Sequence, residues 1–342
     1  MKSMDEEQIR LQLDAFVKAW ESGEEFVIDQ CVVEEPYIYF SMFGKCYIKN
    51  TLNSWLKKRE LNPGYIKLKI ENHTCLIKGN RAEQYATLLG VFADTDSEGI
   101  SYLSFGGTFV NTLVKKNEVW KFETMRFELQ SDNGVLEETL SEEGIISIVE
   151  GPGNREFIKN WKLVNDRVGY YMDPLEEQGE HVILGELDAP WYKVENRDNL
   201  LTNEEQIKDL FAKYCFSYDF SLFVLMKDIF SEDAVIKLPD QESFHRQDAL
   251  AYLKLVRQGS PRSMTTGYFL SLEIEGEKAE CRVVRELPEA LRLTSDRNDF
   301  WDSDFSCGTY FFKVEKKEGD WKICYFEYEE DKQWKSQVMN SI

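Results

Sequence analysis

The chain is poor in histidine and has no paired cysteines. Its 342 residues hold only His73, His181 and His245, which lie far apart. The seven cysteines, Cys31, Cys46, Cys75, Cys215, Cys281, Cys307 and Cys324, are scattered, odd in number and never in a C-x-x-C pair. That spacing argues against a zinc site and a disulfide framework, and it suits a reducing compartment. No stretch approaches the roughly 20 apolar residues of a membrane span. Met1-Lys2-Ser3-Met4-Asp5 runs straight into a charged helix without an apolar signal core. A cytoplasmic protein is expected. The P-loop, the dinucleotide fingerprint, G-x-S-x-G and H-E-x-x-H are all missing, so no cofactor or metal is implied.

Positive charge is also short. Lys and Arg number 41 against 62 Asp and Glu, a formal net charge of −21. Nucleic acid and anionic membranes both need a cationic surface, so neither is an expected partner. A neutral or cationic ligand suits the overall charge better. With 42% hydrophobic and 13% aromatic residues the chain can still bury a substantial core.

What the chain does have is an internal repeat about 200 residues apart. Glu6-Glu7-Gln8-Ile9 returns as Glu204-Glu205-Gln206-Ile207. Gly79-Asn80-Arg81-Ala82-Glu83 returns as Gly276-Glu277-Lys278-Ala279-Glu280. Gly107-Thr108-Phe109, with Lys115-Lys116 and Trp120-Lys121, returns as Gly308-Thr309-Tyr310, with Lys316-Lys317 and Trp321-Lys322. A period this long indicates a duplicated domain rather than a solenoid. The expected division is a first domain over 1–130, an aromatic-rich connector over 131–201 that packs on one or both domains, and a second domain over 202–342.

Each copy opens with an amphipathic helix. Ser3 with Glu6 and Thr202 with Glu205 have the capping-box spacing. One apolar face is Ile9, Leu13, Phe16, Val17 and Trp20, the other Ile207, Leu210, Phe211, Tyr214 and Tyr218. Copy two adds a short helix over 222–230. Strands follow at 36–42 and 234–238, then helices at 49–58 and 246–257. The rest of each copy is a strand meander: 65–77, 81–92, 102–115 and 120–130 in copy one, and 267–274, 279–286, 308–314 and 321–328 in copy two. Helices followed by a meander indicate α+β, with a curved antiparallel sheet against the helices.

The quoted residues of copy two resemble a known family. Tyr214-Cys215-Phe216-Ser217-Tyr218-Asp219, followed by Asp228-Ile229-Phe230-Ser231-Glu232-Asp233-Ala234-Val235, is similar to the opening of the SnoaL-like branch of the nuclear transport factor 2-like superfamily. The Gly-x-x-Ala turn and the Gly-Thr-aromatic strand with a later Trp-Lys add to the likeness. It covers most of copy two and, more weakly, copy one. It implies two tandem cone-shaped domains, each with helices and a curved sheet around an apolar pocket. The family includes dehydratases, ketosteroid isomerase, polyketide cyclases and non-catalytic binding modules, so fold alone does not give function. Its domains often pair through the open sheet face, which implies an intramolecular pseudo-dimer here, with a higher oligomer as an alternative.

The catalytic pattern of the family is incomplete. Many of its enzymes have a His eleven residues before the strand-turn Gly, where this chain has Leu68 and Thr265. The helix acid is Asp219 in copy two and Glu21 in copy one. The second family acid position holds Leu222 and Glu24. The candidate catalytic residues are therefore Asp219 as acid or base, with Tyr218 and Tyr214 as donors. The plainer alternative is that Asp219 caps a helix and the tyrosines pack. Candidate ligand-lining residues are Trp301, Tyr268, Tyr310 and Arg282. Arg282 and Arg285 could hold an anionic ligand group or form an edge salt bridge. Asp94-Thr95-Asp96 imitates a calcium loop, but its twelfth position is Phe105, so a hairpin turn is expected. Asp296, Asp299, Asp302 and Asp304 read as a solvated acidic loop.

Three functions remain open. The first is a non-catalytic protein that binds a small, mostly apolar ligand in a cone, copy two being favoured. The second is a lyase or isomerase of dehydratase or ketosteroid-isomerase type using Asp219. The third is an interaction scaffold with filled cones.

Overall fold

The computed structural model describes residues 4–22, 28–41, 44–56, 65–95, 100–140, 146–150, 182–239, 243–259, 264–286 and 308–330. Ser3, His181, Trp301 and the Asp296–Asp304 loop lie outside these residues. The chain forms two compact units. One holds Lys2–Ile70 and Cys75–Asn199, the other Met1, Glu71–Thr74 and Leu200–Ile342.

The first unit runs α1 (Met4–Ser22), α2 (Ile28–Cys31), β1 (Val32–Phe40), β2 (Gly44–Cys46), α3 (Lys49–Leu56), β3 (Tyr65–Lys78), β4 (Arg81–Thr95), β5 (Ile100–Lys116), β6 (Val119–Leu140) and β7 (Ile146–Glu150), then α4 (Pro190–Lys193). The second runs α5 (Asn203–Asp219), α6 (Phe223–Ile229), β8 (Phe230–Lys237), β9 (Phe244–His245), α7 (Arg246–Gly259), β10 (Thr266–Glu275), β11 (Lys278–Glu286), β12 (Gly308–Lys317) and β13 (Asp320–Glu330). The strand orders, β2-β1-β6-β5-β4-β3 and β9-β8-β13-β12-β11-β10, match position for position, and β7 adds to β6 in the first sheet. In both, the first strand pairs parallel with the last of the meander, whereas β1–β2, β4–β5, β5–β6, β8–β9, β10–β11, β11–β12 and β12–β13 pair antiparallel. The architecture is α+β.

Local details correspond as well. β1 and β8 both open with two buried residues, two exposed acids and then a buried residue, Glu34-Glu35 matching Glu232-Asp233. The pairing register slips beside those acids in both sheets, a bulge that turns the acids outward and bends the strand. Gly79 and Gly276 take φ of 58° and 63° in the hairpin turns, a left-handed conformation that favours glycine. The Lys and Trp landmarks are clips. Lys115 bonds Asp5 at the start of α1 (2.9 Å), and Lys316 approaches Asn203 at the start of α5 (3.4 Å). Each also lies over its tryptophan, Trp120 or Trp321. Lys121 and Lys322 donate to the Asp29 and Asp228 carbonyls at 2.6 and 2.7 Å.

Several elements differ from the sequence reading. α2 and the short edge strands β2 and β9 are additional. β1 begins at Val32, before the Glu34-Glu35-Pro36 interruption that hides it. β6 runs ten residues beyond 130. Asp94 and Thr95 pair with Ser101 and Ile100, and the rest of the Asp94–Gly99 segment lies outside the described residues. The Thr202 capping box is formed, with the Glu205 N–H donating to Thr202 Oγ1 and the Thr202 N–H to Glu205 Oε2.

The described end of the connector, 182–199, packs on the first unit. Arg126 on β6 forms a buried ion pair with Asp188, and Lys193 reaches Asp188 at 3.2 Å. Asp188 Oδ2 accepts the Leu184 N–H (2.8 Å), and Glu128 Oε2 accepts the Ile183 N–H (2.8 Å). Trp191 packs on Tyr85 with ring centroids 5.7 Å apart. Burial pushes the Asp188 carboxyl up, but the Arg126 and Leu184 bonds and the charges of Arg126 and Lys193 outweigh it and hold it below its ordinary value. Asn199 continues the attachment by accepting the Ile77 N–H and donating to the Cys75 carbonyl. Among the described residues no helix is long and apolar enough to cross a membrane.

Candidate functional site

The two interiors are built on one plan and filled with different chemistry. In the first domain α1 brings Phe16 and Trp20 against Phe109 on β5 and Phe127 on β6, with Leu88 on β4 in the same core; none of the five is solvent-accessible. In the second domain the corresponding positions are Tyr214 and Tyr218 on α5, Tyr310 on β12, Tyr328 on β13 and Arg285 on β11. The pairing fixes this correspondence. Phe109 opposes Ala86 and Phe127, as Tyr310 opposes Val283 and Tyr328, and Leu88 opposes Gly107 as Arg285 opposes Gly308.

Ring spacing is nearly the same in both. Phe16–Phe109 and Tyr214–Tyr310 are each 6.1 Å, Phe109–Phe127 and Tyr310–Tyr328 are 4.7 and 4.8 Å, and Phe16–Trp20 and Tyr214–Tyr218 are 6.1 and 6.3 Å. Thus each of these four rings of the first core is answered by a phenol in the second, and a leucine by a guanidinium. Tyr218, Tyr328 and Arg285 are partly solvent-accessible, whereas Trp20, Phe127 and Leu88 are sealed. The shared glycine has a steric reason. A Cβ at Gly107 would lie 2.4 Å from the Phe127 ring, and one at Gly308 would lie 2.7 Å from the Tyr328 ring and hydroxyl.

Polar groups converge around the second interior. Arg285 Nη1 donates to the Tyr328 hydroxyl at 2.9 Å, and its guanidinium lies 5.3 Å from that ring's centroid. Arg257 on α7 is buried and donates to the Asp219 backbone carbonyl at 2.7 Å. Asp219 is fully buried at the end of α5, and its Oδ2 accepts the Thr265 N–H at 3.0 Å. Burial pushes the Tyr214, Tyr310 and Tyr218 hydroxyls above the ordinary tyrosine value, so all three are neutral donors near pH 7. Burial also drives the Asp219 carboxyl up to about 7, against the opposing charge of Arg257, the Thr265 hydrogen bond and the charge of Arg285.

The Asp219 contact has a counterpart. In the first domain Glu21 Oε1 accepts the Leu68 N–H at 2.6 Å. Leu68 and Thr265 are the positions where the family resemblance places a histidine. Both domains therefore tie the helix-end acid to the backbone at that position. The tie occurs beside a wholly apolar core as well as beside the phenols, which supports a bracing role.

Of the sequence-stated candidates, Asp219, Tyr218, Tyr214 and Tyr310 come together in this cluster. Arg282 and Tyr268 do not. Arg282 is exposed on the opposite face of β11, over the Phe311 ring, and Tyr268 is 41% exposed on β10. Period two explains this: on β11, Arg285 shares the inward face of Cys281 and Val283, and Arg282 does not. Trp301 lies outside the described residues. Arg257 and Tyr328 escaped sequence reasoning, although aligning the copies at the Gly-Thr-aromatic landmark pairs Phe127 with Tyr328. Elsewhere, the first domain carries an open groove of about 720 Å³ lined by Glu34, Tyr37, Tyr47 and Lys49, among others, where Lys49 already pairs with Glu34 at 2.7 Å. Among the described residues no three His, Cys, Asp or Glu side chains gather as a metal site.

Asp219 carries a pH-dependent stability term. Its folded-state value of about 7 lies above the ordinary carboxylate value of 3.8. The stability it contributes is complete below about pH 4 and is lost as pH rises through about 7. Asp219→Asn keeps an acceptor for Thr265 without the ionisation. Urea unfolding should show the variant gaining on wild type by ~2–4 kcal/mol between pH 5 and pH 8. A pH-independent difference would mean that Asp219 is not desolvated.

Residues 199–327 match the family model described as a SnoaL-like domain. No curated protein matches the chain significantly. A protein provisionally named a scytalone dehydratase, from Novosphingobium aromaticivorans, is 12% identical over 44% of this chain and 93% of its own, with a TM-score of 0.33. A nuclear transport factor 2-like superfamily protein from Salmonella enterica serovar Typhimurium is 11% identical over 37% and 92%, with a TM-score of 0.32. A nuclear transport factor 2-like protein of unknown function from Shewanella baltica is 19% identical over 39% and 98%, with a TM-score of 0.29.

Proposed function

We propose that the domain holding residues 199–327, which match the SnoaL-like family model, binds a small, mostly apolar ligand in its interior, while the first domain is a filled copy from a tandem duplication. The observation that carries the reading is the position-by-position exchange of Phe16, Trp20, Leu88, Phe109 and Phe127 for Tyr214, Tyr218, Arg285, Tyr310 and Tyr328. Hydroxyls in an interior cost free energy unless they are bonded. The first domain shows that the same scaffold packs without them. Rings that bind apolar surface and fixed polar groups that orient a ligand are the usual composition of a small-molecule site.

Binding is favoured over turnover because the position of the family histidine is a backbone N–H bonded to Asp219. The second reading, a lyase or isomerase, draws on the Asp219 value of about 7, which suits a general acid or base at neutral pH. It requires that Asp219 exchange its Thr265 bond for a substrate proton.

The test uses the full chain and two probes with one body, 2-naphthamide and 2-naphthoate, titrated by ligand-observed NMR. At least one is expected to bind. Tyr218→Trp, which installs the ring that the first domain carries at Trp20, is expected to weaken it at least tenfold. Binding of neither probe, or binding indifferent to Tyr218→Trp, would overturn the reading.

A further inference from the structure

We propose that the ligand of the second domain is an organic anion: an apolar, ring-sized body carrying a carboxylate or an equivalent oxyanion, seated against Arg285 beside the Tyr328 hydroxyl. The inference rests on the binding reading above and assigns the ligand's chemical class.

Placement comes first. Arg285 stands on β11 on the same inward face as Val283, at the site the first domain gives to the sealed Leu88. It opposes Gly308, which has no side chain, so the Tyr328 ring lies over that glycine and brings its hydroxyl to the guanidinium. A planar guanidinium is suited to a carboxylate, which it can grip through two parallel hydrogen bonds. The phenols of Tyr218 and Tyr328 stand at the solvent-reached part of the same cluster, and neutral phenols donate to an oxyanion.

Charge is the second argument. The groups facing Asp219 are Cys215 and Tyr218 on α5, Arg257 on α7, Thr265 before β10 and Arg285 on β11. Two of these described groups, Arg257 and Arg285, are guanidiniums, and the Asp219 carboxyl is about half protonated near pH 7. A chain of net charge −21 thus places two guanidiniums around one domain's interior. The overall charge governs long-range approach, and the low-dielectric interior governs what binds.

An anion near Asp219 disfavours its ionised form, so binding at neutral pH takes up a fraction of a proton from solvent. Isothermal titration calorimetry of the full chain separates the terms. 2-Naphthoate is expected to bind at least tenfold tighter than the isosteric 2-naphthamide. Arg285→Leu is expected to erase that preference while keeping the amide's affinity within about threefold, and Arg285→Lys to keep part of it. Titrations in buffers of different ionisation enthalpy should show proton uptake with 2-naphthoate near pH 7, absent in Asp219→Asn. Equal affinity for both probes, with Tyr218→Trp still abolishing binding, overturns the anion and leaves the site standing. A preference for naphthoate that survives Arg285→Leu also overturns it. Binding of neither probe removes the site itself.

Discussion

Leu88→Arg is expected to destabilise the first domain by about 4 kcal/mol or more. Leu88 is fully buried in the core that holds Phe16, Phe109 and Phe127. A guanidinium there would leave water and meet rings that carry no hydroxyls. In the second domain the same position is Arg285, bonded to the Tyr328 hydroxyl at 2.9 Å. The converse, Arg285→Leu, should change stability by less than about 1.5 kcal/mol, since it restores the first domain's packing chemistry. Adding Phe127→Tyr to Leu88→Arg supplies the missing hydroxyl and should recover part of the loss. Circular-dichroism melts of the three variants measure this directly. If Leu88→Arg melted like wild type, the first interior would not be the solid apolar core from which the functional contrast is drawn.

Asp188→Ala has the second-largest expected effect, a loss of about 3–5 kcal/mol, because it strands the Arg126 charge in a buried site. Arg126, Lys193 and the Leu184 N–H all converge on that carboxylate. The connector end should also loosen. Leu184 and Leu187 are exposed on either side of the turn before Asp188, so protease cleavage between 183 and 190 should rise with the loss of stability. The double variant Arg126→Met with Asp188→Leu removes both charges and should recover most of the stability. Recovery by the double variant together with a small loss in the single one would show that the ion pair is solvent-relaxed rather than buried. Since Asp188 is held below its ordinary value, the contribution of the pair is present above the ordinary carboxylate range and falls as the solution is acidified through it.

Much of the fold was legible because it follows from short-range rules. The apolar stripe ending in Phe16 and Trp20 set a helix. The left-handed glycines Gly79 and Gly276 set hairpin turns. The Lys and Trp landmarks recurred because each clips the hairpin to the start of the first helix. The extra strands were less legible. β2 and β9 have three and two residues, too few for a period to register. The start of β1 was masked by Glu34-Glu35-Pro36, which a bulge turns outward.

The site was legible only in part. Asp219, Tyr214, Tyr218 and Tyr310 were named from the helix face and the Gly-Thr-aromatic strand. Arg282 was favoured over Arg285 as a ligand contact, although the face of β11 that points inward is the one with Cys281, Val283 and Arg285. Alternation cannot say which of two faces is inside when both carry charge. Arg257 reaches Asp219 from another helix, 38 residues away, and nothing local marks it.

The sequence by itself determined the repeat, the α+β order of elements and the absence of the usual histidine, because helix faces, turns and strand periods are written within a few residues of one another. Only the tertiary structure decided that the two interiors share one ring geometry with opposite chemistry. It also decided that the helix-end acid meets a backbone N–H in both domains and that an acidic chain keeps a cluster of arginines and phenols in one of them. Those facts depend on contacts made by residues far apart in the chain across several strands and helices, and no local pattern encodes which side chains a folded sheet will bring face to face.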